Sequence, residues 1–575
     1  MKKIHKKKIL LALIPLYFTG CSMLDEKKSP SLTYDKDFKI KRYIDSRIKQ
    51  DIDKDIITGA SISLIKNNHV VHAKGFGYMD KSHSIKSTSK TLYRVASISK
   101  TFTSIAMMKL EDEKKLNIDV PINQYLPSFD FKNHPKNSKN VTIREVMTHH
   151  AGIPNVSSAY ELSDKELNYT EVLKILKGEY LTAPVGTIYN YSNLGYALLG
   201  GVVENRIKTS FKRYMQKNIL NPLDMKSSKF LKKYDFDKDR YQEVSLPTMG
   251  LVSNVIDLSK LIIAMNNNGK VKGDRNILSK HALNKMFNVQ NKNHKLDVGK
   301  MVGLGLDIDI QTFGKEYPIY SRTGTLEEHR ACIMFMPRKK LGVVILVNGP
   351  ADIHYVKSLA HDTMIKLWEN KTASKYIPKI NRAFKTKSYE IVGNYNLNYF
   401  GAIEIFKNED GLYKARQFAS NETMELKKNI DNSYTFVDNS LHILSTDIFA
   451  DKKLYFTRIE NRDVIVLEDK YANRSIVGFK IKKSYLSHSW KNALGEYINH
   501  SVNMTLVLEI KNGYLQRIWK KNGNEVFSEF IKVMNDSEAI IDNLIAQSRV
   551  TLRMGLDKNG KFFVEHQGLS FMKRE

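Results

Sequence analysis

The chain has 575 residues, too many for a single hydrophobic core, which indicates several domains. Its hydrophobic content of 42% and aromatic content of 10% are ordinary for folded protein. With only two cysteines, Cys21 and Cys332, a disulfide framework is excluded.

The chain is strongly basic, with a net charge of +30 from 91 Lys and Arg residues against 61 Asp and Glu residues. Such a charge is compatible with binding to nucleic acid or to an anionic cell surface. The other explanation of this net charge is a lysine-biased composition, with the charges spread over solvated faces. We prefer that interpretation and predict no nucleic-acid partner, because no basic run beyond the N-terminus and no nucleic-acid motif is present.

Residues 1–21 have the pattern of an export signal. Five lysines precede an apolar run from Ile9 to Phe18, which is too short to span a bilayer. The following Phe18-Thr19-Gly20-Cys21 resembles a bacterial lipobox, with Phe18 where leucine is usual. That resemblance implies cleavage before Cys21, lipidation of its thiol and a membrane-anchored lipoprotein of the cell envelope, with residues 22–37 as a polar tether. Secretion or a periplasmic location, with Cys21 as a stray thiol, is the alternative.

Hydrophobic periodicity predicts a mixed region over residues 38–372. The predicted elements are a helix over 40–52, a hairpin of strands 59–66 and 69–77 turning at Asn67-Asn68, a hairpin of strands 330–336 and 341–347, and a helix over 354–368. Strands at both ends with helical sequence between them predict an α/β (α+β) fold. We expect an antiparallel sheet flanked by helices, with a helical insertion lobe.

Ser97 and Lys100 form a Ser-x-x-Lys pair at a predicted helix start. Residues three apart on a helix share a face, so the hydroxyl and the amine can meet. An apolar stripe behind them would remove hydration from Lys100, lowering its pKa from about 10.4 so that it accepts a proton from serine near neutral pH. The spacing alone is common. It also occurs at Ser46/Lys49, Ser63/Lys66, Ser87/Lys90 and Ser570/Lys573.

Two later clusters single out Ser97: Tyr191-Ser192-Asn193 and Arg322-Thr323-Gly324. Together with Ser97-Ile98-Ser99-Lys100 they resemble the three-motif set of class C β-lactamases and the related penicillin-recognising serine hydrolases. Four intervening segments resemble that family in the same order: LNIDVPINQYLP (116–127), VTIREVMTHHAGIP (141–154), PVGTIYNYSNLGYALLG (184–200) and GLVSNVIDL (250–258).

The resemblance implies catalytic roles for three residues. Ser97 would be the acylated nucleophile and Lys100 its proton acceptor. Tyr191 would shuttle the proton to the leaving group and activate the deacylating water. Which of Lys100 and Tyr191 is the main base stays open.

Substrate-binding roles follow from the same resemblance. Asn193 would hydrogen-bond the substrate amide and Lys100, and Arg322, Thr323 and Gly324 would line the substrate site. The backbone N–H groups of Ser97 and Thr325 would form the oxyanion hole, in which one donor is typically worth about 10²–10³ in rate.

The third motif departs from the family at two points. Lysine or histidine is usual where Arg322 stands; arginine stays charged and grips a carboxylate as a fork, but it cannot relay a proton. The segment Leu326–Arg330 stands where small residues and a Gly-Phe pair are common, and it is predicted to line one wall of the cleft. A site that binds without turnover is therefore an alternative.

No cofactor and no metal are predicted. His149 and His150 are interpreted as supporting or structural residues, and no metal-ligand or phosphate-loop motif appears.

The last third of the chain repeats with an offset of 102 residues. The motif Gly393-Asn394-Tyr395 recurs as Gly495-Glu496-Tyr497, and the dipeptide Asp410-Gly411 recurs as Asn512-Gly513. Each of these two dipeptides predicts a type I′ hairpin. After a linker over 373–389, we predict two antiparallel β-barrel modules, over 390–483 and 484–575. They resemble the lipocalin-like barrels appended to some D-aminopeptidases.

These observations predict an exported serine acyl hydrolase that forms an acyl-enzyme on D-amino-acid-containing peptides or amides, such as cell-wall stems. An esterase or weak β-lactamase is the alternative within the family, and a non-catalytic protein that binds penicillin or wall peptides is the alternative from another class. The expected partners are a small peptide or β-lactam-like substrate and a membrane through Cys21. The sequence leaves the oligomeric state open.

Overall fold

The computed structural model describes residues 37–574 apart from 81, 83, 134–138, 156–165, 234–241, 272, 274, 377–388, 399–400, 438–448, 450–451, 470–473, 484–485, 542–550 and 567–568. The predicted signal, lipidation site Cys21 and nearly all of the tether lie outside these residues, as does most of the linker.

A seven-stranded antiparallel sheet forms the centre of the first region, in the order β2-β1-β10-β9-β8-β7-β6. The strands of this region are β1 Gly59–Lys66, β2 His69–Gly77, β3 Tyr93–Arg94, β4 Lys229–Phe230, β5 Leu251–Ser253, β6 Met301–Val302, β7 Asp307–Asp309, β8 Ile319–Leu326, β9 His329–Met336 and β10 Leu341–Asn348. Strand β1 pairs with β10, from Gly59 opposite Asn348 to Lys66 opposite Leu341. The first and last strands of the region therefore lie side by side in the sheet. Both predicted hairpins are present, and Asn67 and Asn68 have the positive φ angles of a type I′ turn.

Helices cover both faces of this sheet. They are α1 Phe38–Asp53, α2 Ser99–Asp112, α3 Ile143–Met147, α4 Tyr169–Ile175, α5 Asn193–Ile207, α6 Phe211–Met215, α7 Leu246–Met249, α8 Val255–Asn266, α9 Lys280–Phe287 and α10 Ile353–Thr372. The terminal helices α1 and α10 pack on one face, where Ile44, Ile48 and Val356 are fully buried. The helices between β2 and β6 enclose the larger core on the other face, with α2 at its centre. The predicted antiparallel sheet with a helical lobe is thus confirmed.

Two closed eight-stranded barrels follow, which confirms the predicted β modules. The first consists of β11 Gly393–Leu397, β12 Gly401–Lys407, β13 Tyr413–Gln417, β14 Thr423–Lys428, β15 Tyr434–Phe436, β16 Lys453–Ile459, β17 Arg462–Glu468 and β18 Arg474–Lys480. The second, preceded by the short helix α11 His488–Asn492, consists of β19 Gly495–Asn499, β20 Met504–Lys511, β21 Tyr514–Lys521, β22 Asn524–Val533, β23 Glu538–Ile541, β24 Thr551–Leu556, β25 Phe562–His566 and β26 Leu569–Lys573.

The two hairpins predicted to be equivalent differ in their turns. Asn512 and Gly513 both have positive φ, and Lys511 pairs directly with Tyr514, as a type I′ turn requires. At Asp410-Gly411 the type I′ prediction is wrong, because only Gly411 has a positive φ. There the loop is longer: Asn408 accepts a hydrogen bond from the N–H of Gly411 and donates its own N–H to the carbonyl of Leu412.

Both barrels pack against the sheet-and-helix region. In the first, buried apolar side chains of β16–β18 meet Ala183, Ile188, Leu296 and Val298. In the second, Glu538 accepts hydrogen bonds from Lys132 at 2.6 Å and from the Tyr180 hydroxyl at 3.1 Å. Within the described residues no helix is both long and apolar enough to cross a membrane.

Candidate active site

Ser97 lies on a short 3₁₀ turn, Ala96–Ile98, that leads directly into α2. Ala96 has φ +46°, a left-handed conformation that is strained for a residue with a side chain. The strained residue turns the chain sharply from β3 into the helix, so that Ser97 stays partly exposed at the edge of the core. Lys100, one turn further on, is fully buried.

The amine of Lys100 has three polar neighbours. Its Nζ lies 3.1 Å from Oγ of Ser97, which confirms the contact that the helical spacing predicts. It also lies 2.7 Å from Oδ1 of Asn193 and 3.0 Å from the carbonyl oxygen of Thr248. Both of these oxygens are acceptors only. A neutral amine has two N–H groups for them and one lone pair, which is then directed at the serine hydroxyl.

Burial lowers the pKa of Lys100 well below its usual value, and the positive charge of Arg322 lowers it further. Desolvation and a like charge both disfavour the protonated amine. The unprotonated form is therefore favoured, and that form accepts the proton of Ser97.

Tyr191 stands on the other side of Ser97, with its hydroxyl 2.7 Å from Oγ. Burial raises the pKa of Tyr191 despite the opposing charge of Arg322, so at neutral pH the tyrosine is a phenol that donates. Ser192 caps helix α5 by accepting a hydrogen bond from the N–H of Gly195 at 2.8 Å. The cap fixes Tyr191 just before the helix and Asn193 in its first turn.

His149 supports this segment, in agreement with the supporting role predicted for it. Its Nδ1 accepts the backbone N–H of Ser192 at 3.0 Å. Burial, together with the charges of Arg322 and Lys100, lowers the pKa of His149 well below its usual value. The imidazole is therefore neutral, and its one proton is on Nε2.

Arg322 is buried on β8, behind Ser97 and Tyr191. Its Nε donates to the carbonyl of Ser97 at 3.4 Å, and its Cζ lies 5.5 Å from the ring centroid of Tyr191. Its Nη2 lies 3.3 Å from Nε2 of His149. Both of these nitrogens carry hydrogen, so two donors converge there, and no side chain among the described residues places an acceptor between them.

The carboxylate of Asp307 balances part of this positive charge. Burial alone would raise its pKa, but the charges of Lys300 and Arg322 lower it to about 2. The Nζ of Lys300 is 3.1 Å from the Asp307 carboxylate. Asp307 is therefore an anion throughout the physiological pH range, and its negative charge stabilises the charged guanidinium of Arg322.

Gly324 permits the close approach of β8 to the serine turn. A Cβ atom built there would lie 2.2 Å from the carbonyl oxygen of Val95 and 3.0 Å from the N of Ser97. Only glycine fits that space. Thr323 and Thr325 flank it on the same strand, paired with Cys332 and Arg330 of β9. The strand thus runs beside the N–H of Ser97, where the predicted oxyanion hole requires it.

The divergent segment Leu326–Arg330 forms the turn between β8 and β9. Leu326 pairs with His329 across a two-residue turn in which Glu327 has φ +49°. His329 is buried, and its ring lies edge-on to Tyr93 at 5.8 Å, so this member of the segment packs into the core.

The structure brings the predicted residues of all three motifs together and adds contributors that the sequence analysis missed. The carbonyl oxygen of Thr248 has no sequence signature, since every residue carries one. Asp307 gave no signal either, because its partners Lys300 and Arg322 lie on different elements.

Comparisons with known proteins show what this chain resembles. Protein flp of Staphylococcus aureus (strain COL) is 26% identical over 358 residues, which are 59% of this chain and 69% of that protein. The octameric penicillin-binding protein homologue from Pyrococcus abyssi superposes with a TM-score of 0.50 at 25% identity, over 76% of this chain and 99% of its own. SurE superposes with a TM-score of 0.58 over 78% of this chain and 100% of its own, and at 16% identity it shares the fold.

Residues 44–364 match the sequence profile of the Beta-lactamase family. The match spans more than half of the chain and contains the turn at Ser97, the motif Tyr191-Ser192-Asn193 and strand β8. The chain is a member of the Beta-lactamase family.

Proposed function

We propose that this protein is a serine acyl hydrolase that forms an acyl-enzyme on Ser97 and acts on D-amino-acid-containing peptides or amides. The observation that carries the proposal is the position of the Ser97 hydroxyl between two proton carriers, 3.1 Å from the Lys100 amine and 2.7 Å from the Tyr191 hydroxyl. A nucleophile within hydrogen-bond reach of a base is the geometric signature of covalent acyl transfer.

Acylation begins when Oγ of Ser97 attacks the scissile carbonyl carbon and its proton passes to Nζ of Lys100. The carbonyl becomes an oxyanion, for which the N–H groups of Ser97 and Thr325 are the proposed donors. Collapse of this intermediate breaks the bond to the leaving amine. That amine takes a proton from the Tyr191 hydroxyl, and the phenolate that results takes up the proton that Lys100 received from Ser97.

Deacylation uses the same groups in reverse. A water molecule attacks the acyl carbon and gives a proton to the Tyr191–Lys100 pair. The pair then passes a proton to Oγ of Ser97 as that oxygen leaves the acyl carbon. The pKa directions favour Lys100 as the resting base, because burial keeps its amine unprotonated and keeps Tyr191 a phenol.

We propose that the substrate carries a carboxylate, which Arg322 would bind. The converging donors of Arg322 and His149, whose nitrogens lie 3.3 Å apart, have no acceptor side chain of the described residues between them, and a carboxylate oxygen would serve both. The terminal D-residue of a wall peptide carries such a group, as does a β-lactam. This supports carboxylate-bearing acyl donors over simple esters.

Intact-protein mass spectrometry after incubation with a fluorophosphonate tests the proposal. The wild-type chain should gain one adduct, while Ser97→Ala should gain none and Lys100→Met should react far more slowly with its fold retained. Ser99→Ala is the matched control, because this serine lies two residues away and accepts the N–H of Leu251 instead. Adducts on Ser97→Ala would refute the assignment.

The same assay separates the alternatives when the reagent is replaced by a D-alanyl-D-alanine peptide, a D-amino-acid amide, nitrophenyl acetate and a penicillin. Peptide or amide turnover supports the proposed substrate class. Turnover confined to the ester or the penicillin indicates an esterase or weak β-lactamase. A stable adduct without turnover of any of them indicates a binding protein.

We further propose, from the sequence pattern at 1–21, that the chain is exported and anchored to a membrane through a lipid on Cys21. We also propose the division into a hydrolase domain over 38–372 and barrel modules over 390–483 and 484–575. Since no catalytic motif appears in the barrel sequences, their proposed role is in substrate access, assembly or surface binding.

A further inference from the structure

A cluster of two histidines and an aspartate lies behind the tyrosine segment, apart from the catalytic groups. We call His150, His294 and Asp297 the His150 cluster; one ligand atom from each lies within 4.8 Å of the others. The Nε2 of His150 is 2.8 Å from Oδ2 of Asp297, and the Nδ1 of His294 is 3.8 Å from the same oxygen. The ring centroids of the two histidines are 4.5 Å apart.

Two separate segments build the cluster. His150 follows α3, directly after His149, while Asp297 ends a 3₁₀ turn and His294 immediately precedes that turn. The other carboxylate oxygen of Asp297, Oδ1, accepts the N–H of Tyr189 at 2.7 Å. Asn291 donates its side-chain amide to Oδ2 and accepts the N–H of Val302. The carboxylate is therefore fixed in orientation by groups outside the cluster.

The arrangement suits a transition-metal ion. Imidazole nitrogen and carboxylate oxygen are ligands that Zn²⁺ prefers, and bonds of about 2.0–2.1 Å place tetrahedral ligand atoms roughly 3.3–3.4 Å apart. The observed separations of 2.8 and 3.8 Å bracket that value. Backbone and amide donors to the ligating carboxylate supply the supporting shell that metal sites have.

His294 gives independent support for a ligand. Its Nδ1 is buried and has no hydrogen-bond partner among the described residues, although it faces the carboxylate. An imidazole nitrogen of this kind is a common zinc ligand. The side chain of His294 is 24% exposed, whereas those of His150 and Asp297 are 1% exposed. Solvent therefore reaches the cluster from the His294 side and can supply a fourth ligand.

We propose that the His150 cluster binds one Zn²⁺ ion through His150, His294 and Asp297, with water as the fourth ligand. The ion would tie the segment after α3 to the 3₁₀ turn at 295–297. Because Asp297 also holds the N–H of Tyr189, binding stabilises the backbone two residues before Tyr191. The role is structural, and no proton transfer at Ser97 passes through the metal.

The test is zinc binding to the purified full-length chain, stripped with chelator and titrated with Zn²⁺ by calorimetry. We expect one site per chain, release of protons on binding and a rise in Tm. The variant His294→Ala removes one ligand. Changing a residue that only supports a ligand typically costs about 10–100-fold in metal affinity, so this variant should weaken zinc binding by at least that factor. An anomalous difference map at the zinc edge should place the ion within bonding distance of all three side chains.

His281→Ala is the matched control, since this exposed histidine lies on α9. It should bind zinc as the wild type does. The proposal fails if the wild type binds no zinc, if His294→Ala binds it as tightly as His281→Ala, or if the anomalous peak lies elsewhere. Because the His294 ring is partly exposed, the Tm of His294→Ala without metal should equal that of the wild type. Should this variant unfold, the Asp297→Asn variant gives the same comparison.

Discussion

The guanidinium of Arg322 and the amine of Lys100 flank one ring: Cζ and Nζ lie 5.5 Å and 4.9 Å from the ring centroid of Tyr191. Arg322 cannot lose its proton, so its charge acts on Lys100 at every working pH. That charge is the second cause, after burial, of the lowered pKa of Lys100. Arg322 therefore lowers the pKa of the base, in addition to the substrate contact proposed for it.

The first prediction concerns pH. A base must be unprotonated, so kcat/KM should be high above the pKa of Lys100 and fall as pH drops through it. In Arg322→Gln the repulsive charge is gone, the pKa of Lys100 rises towards its ordinary value and the acidic limb should move to higher pH. Arg322→Lys keeps a cation and should leave the limb near its wild-type position. The measurement is kcat/KM for an activated ester from pH 5 to 10, and equal limbs in both variants would contradict the coupling.

The second prediction concerns Tyr191. Tyr191→Phe removes the hydroxyl 2.7 Å from Ser97 and should lower acylation, deacylation or both by about 10²–10⁴, the usual worth of a general acid or base. Pre-steady-state kinetics with a chromogenic ester separates the two steps. Tyr189→Phe, the same change two residues away, removes a hydroxyl that does not contact Ser97 and serves as the control. A Tyr191→Phe variant as active as Tyr189→Phe would remove Tyr191 from the mechanism.

The third prediction concerns substrate charge. Arg322→Ala should raise KM and lower kcat/KM for carboxylate-bearing substrates by roughly 10–150-fold, since a hydrogen bond to a charged group is worth about 1.5–3 kcal/mol. Neutral esters such as nitrophenyl acetate should lose much less. Arg338→Ala, at an exposed arginine in the turn after β9, controls for the loss of net charge. Equal losses on both substrate types would mean that Arg322 supports the strand alone.

The fourth prediction concerns the glycine under the serine turn. In Gly324→Ala the new methyl group would collide with the carbonyl oxygen of Val95 at 2.2 Å, so either β8 or the Ser97 turn must move. Displacements of this order can cost about 10²-fold in rate. Gly478→Ala, a strand glycine in the first barrel whose nearest contact is 3.2 Å, should keep full activity. Fluorophosphonate labelling rates and Tm for both variants check this, and normal labelling of Gly324→Ala would show that the turn is not constrained by β8.

The fifth prediction concerns the anchor. A single acyl chain holds a protein only marginally, at about 0.8 kcal/mol per buried CH₂, so stable attachment needs two or more chains. If Cys21 carries such a lipid, Cys21→Ser should release the protein from membranes or block its processing. Fractionation with N-terminal mass analysis measures both effects, with the buried Cys332→Ser as control. An unchanged pattern in Cys21→Ser would refute lipidation at that residue.

The sequence predicted which residues meet at the site better than it predicted the electrostatics there. Ser97 and Lys100 share one helical turn, so their contact follows from local geometry. Tyr191 and Arg322 were placed by their resemblance to family motifs. The sequence did not show that Arg322 is buried against His149 and acts on Lys100, because that depends on how β8 packs against the segment after α3.

The same limit applies to the fold. Hairpins are local, and those at Asn67-Asn68 and Asn512-Gly513 follow from turn chemistry. At Asp410-Gly411 the side chain and backbone of Asn408 bond to the chain beyond the dipeptide, and this lengthens the loop. The docking of the second barrel through Lys132 and Glu538 joins residues 406 apart in sequence, for which no local pattern exists.

The packing of the first barrel has a practical consequence for producing shorter fragments. Leu296 and Val298, which flank Asp297, are covered by apolar side chains of that barrel. A recombinant fragment truncated after α10 would leave this patch bare to water, inviting self-association and loosening the loop that carries Asp297. Assays on such a fragment would measure a molecule in which Asp297 supports the backbone before Tyr191 less firmly. Activity should therefore be measured on the full-length chain.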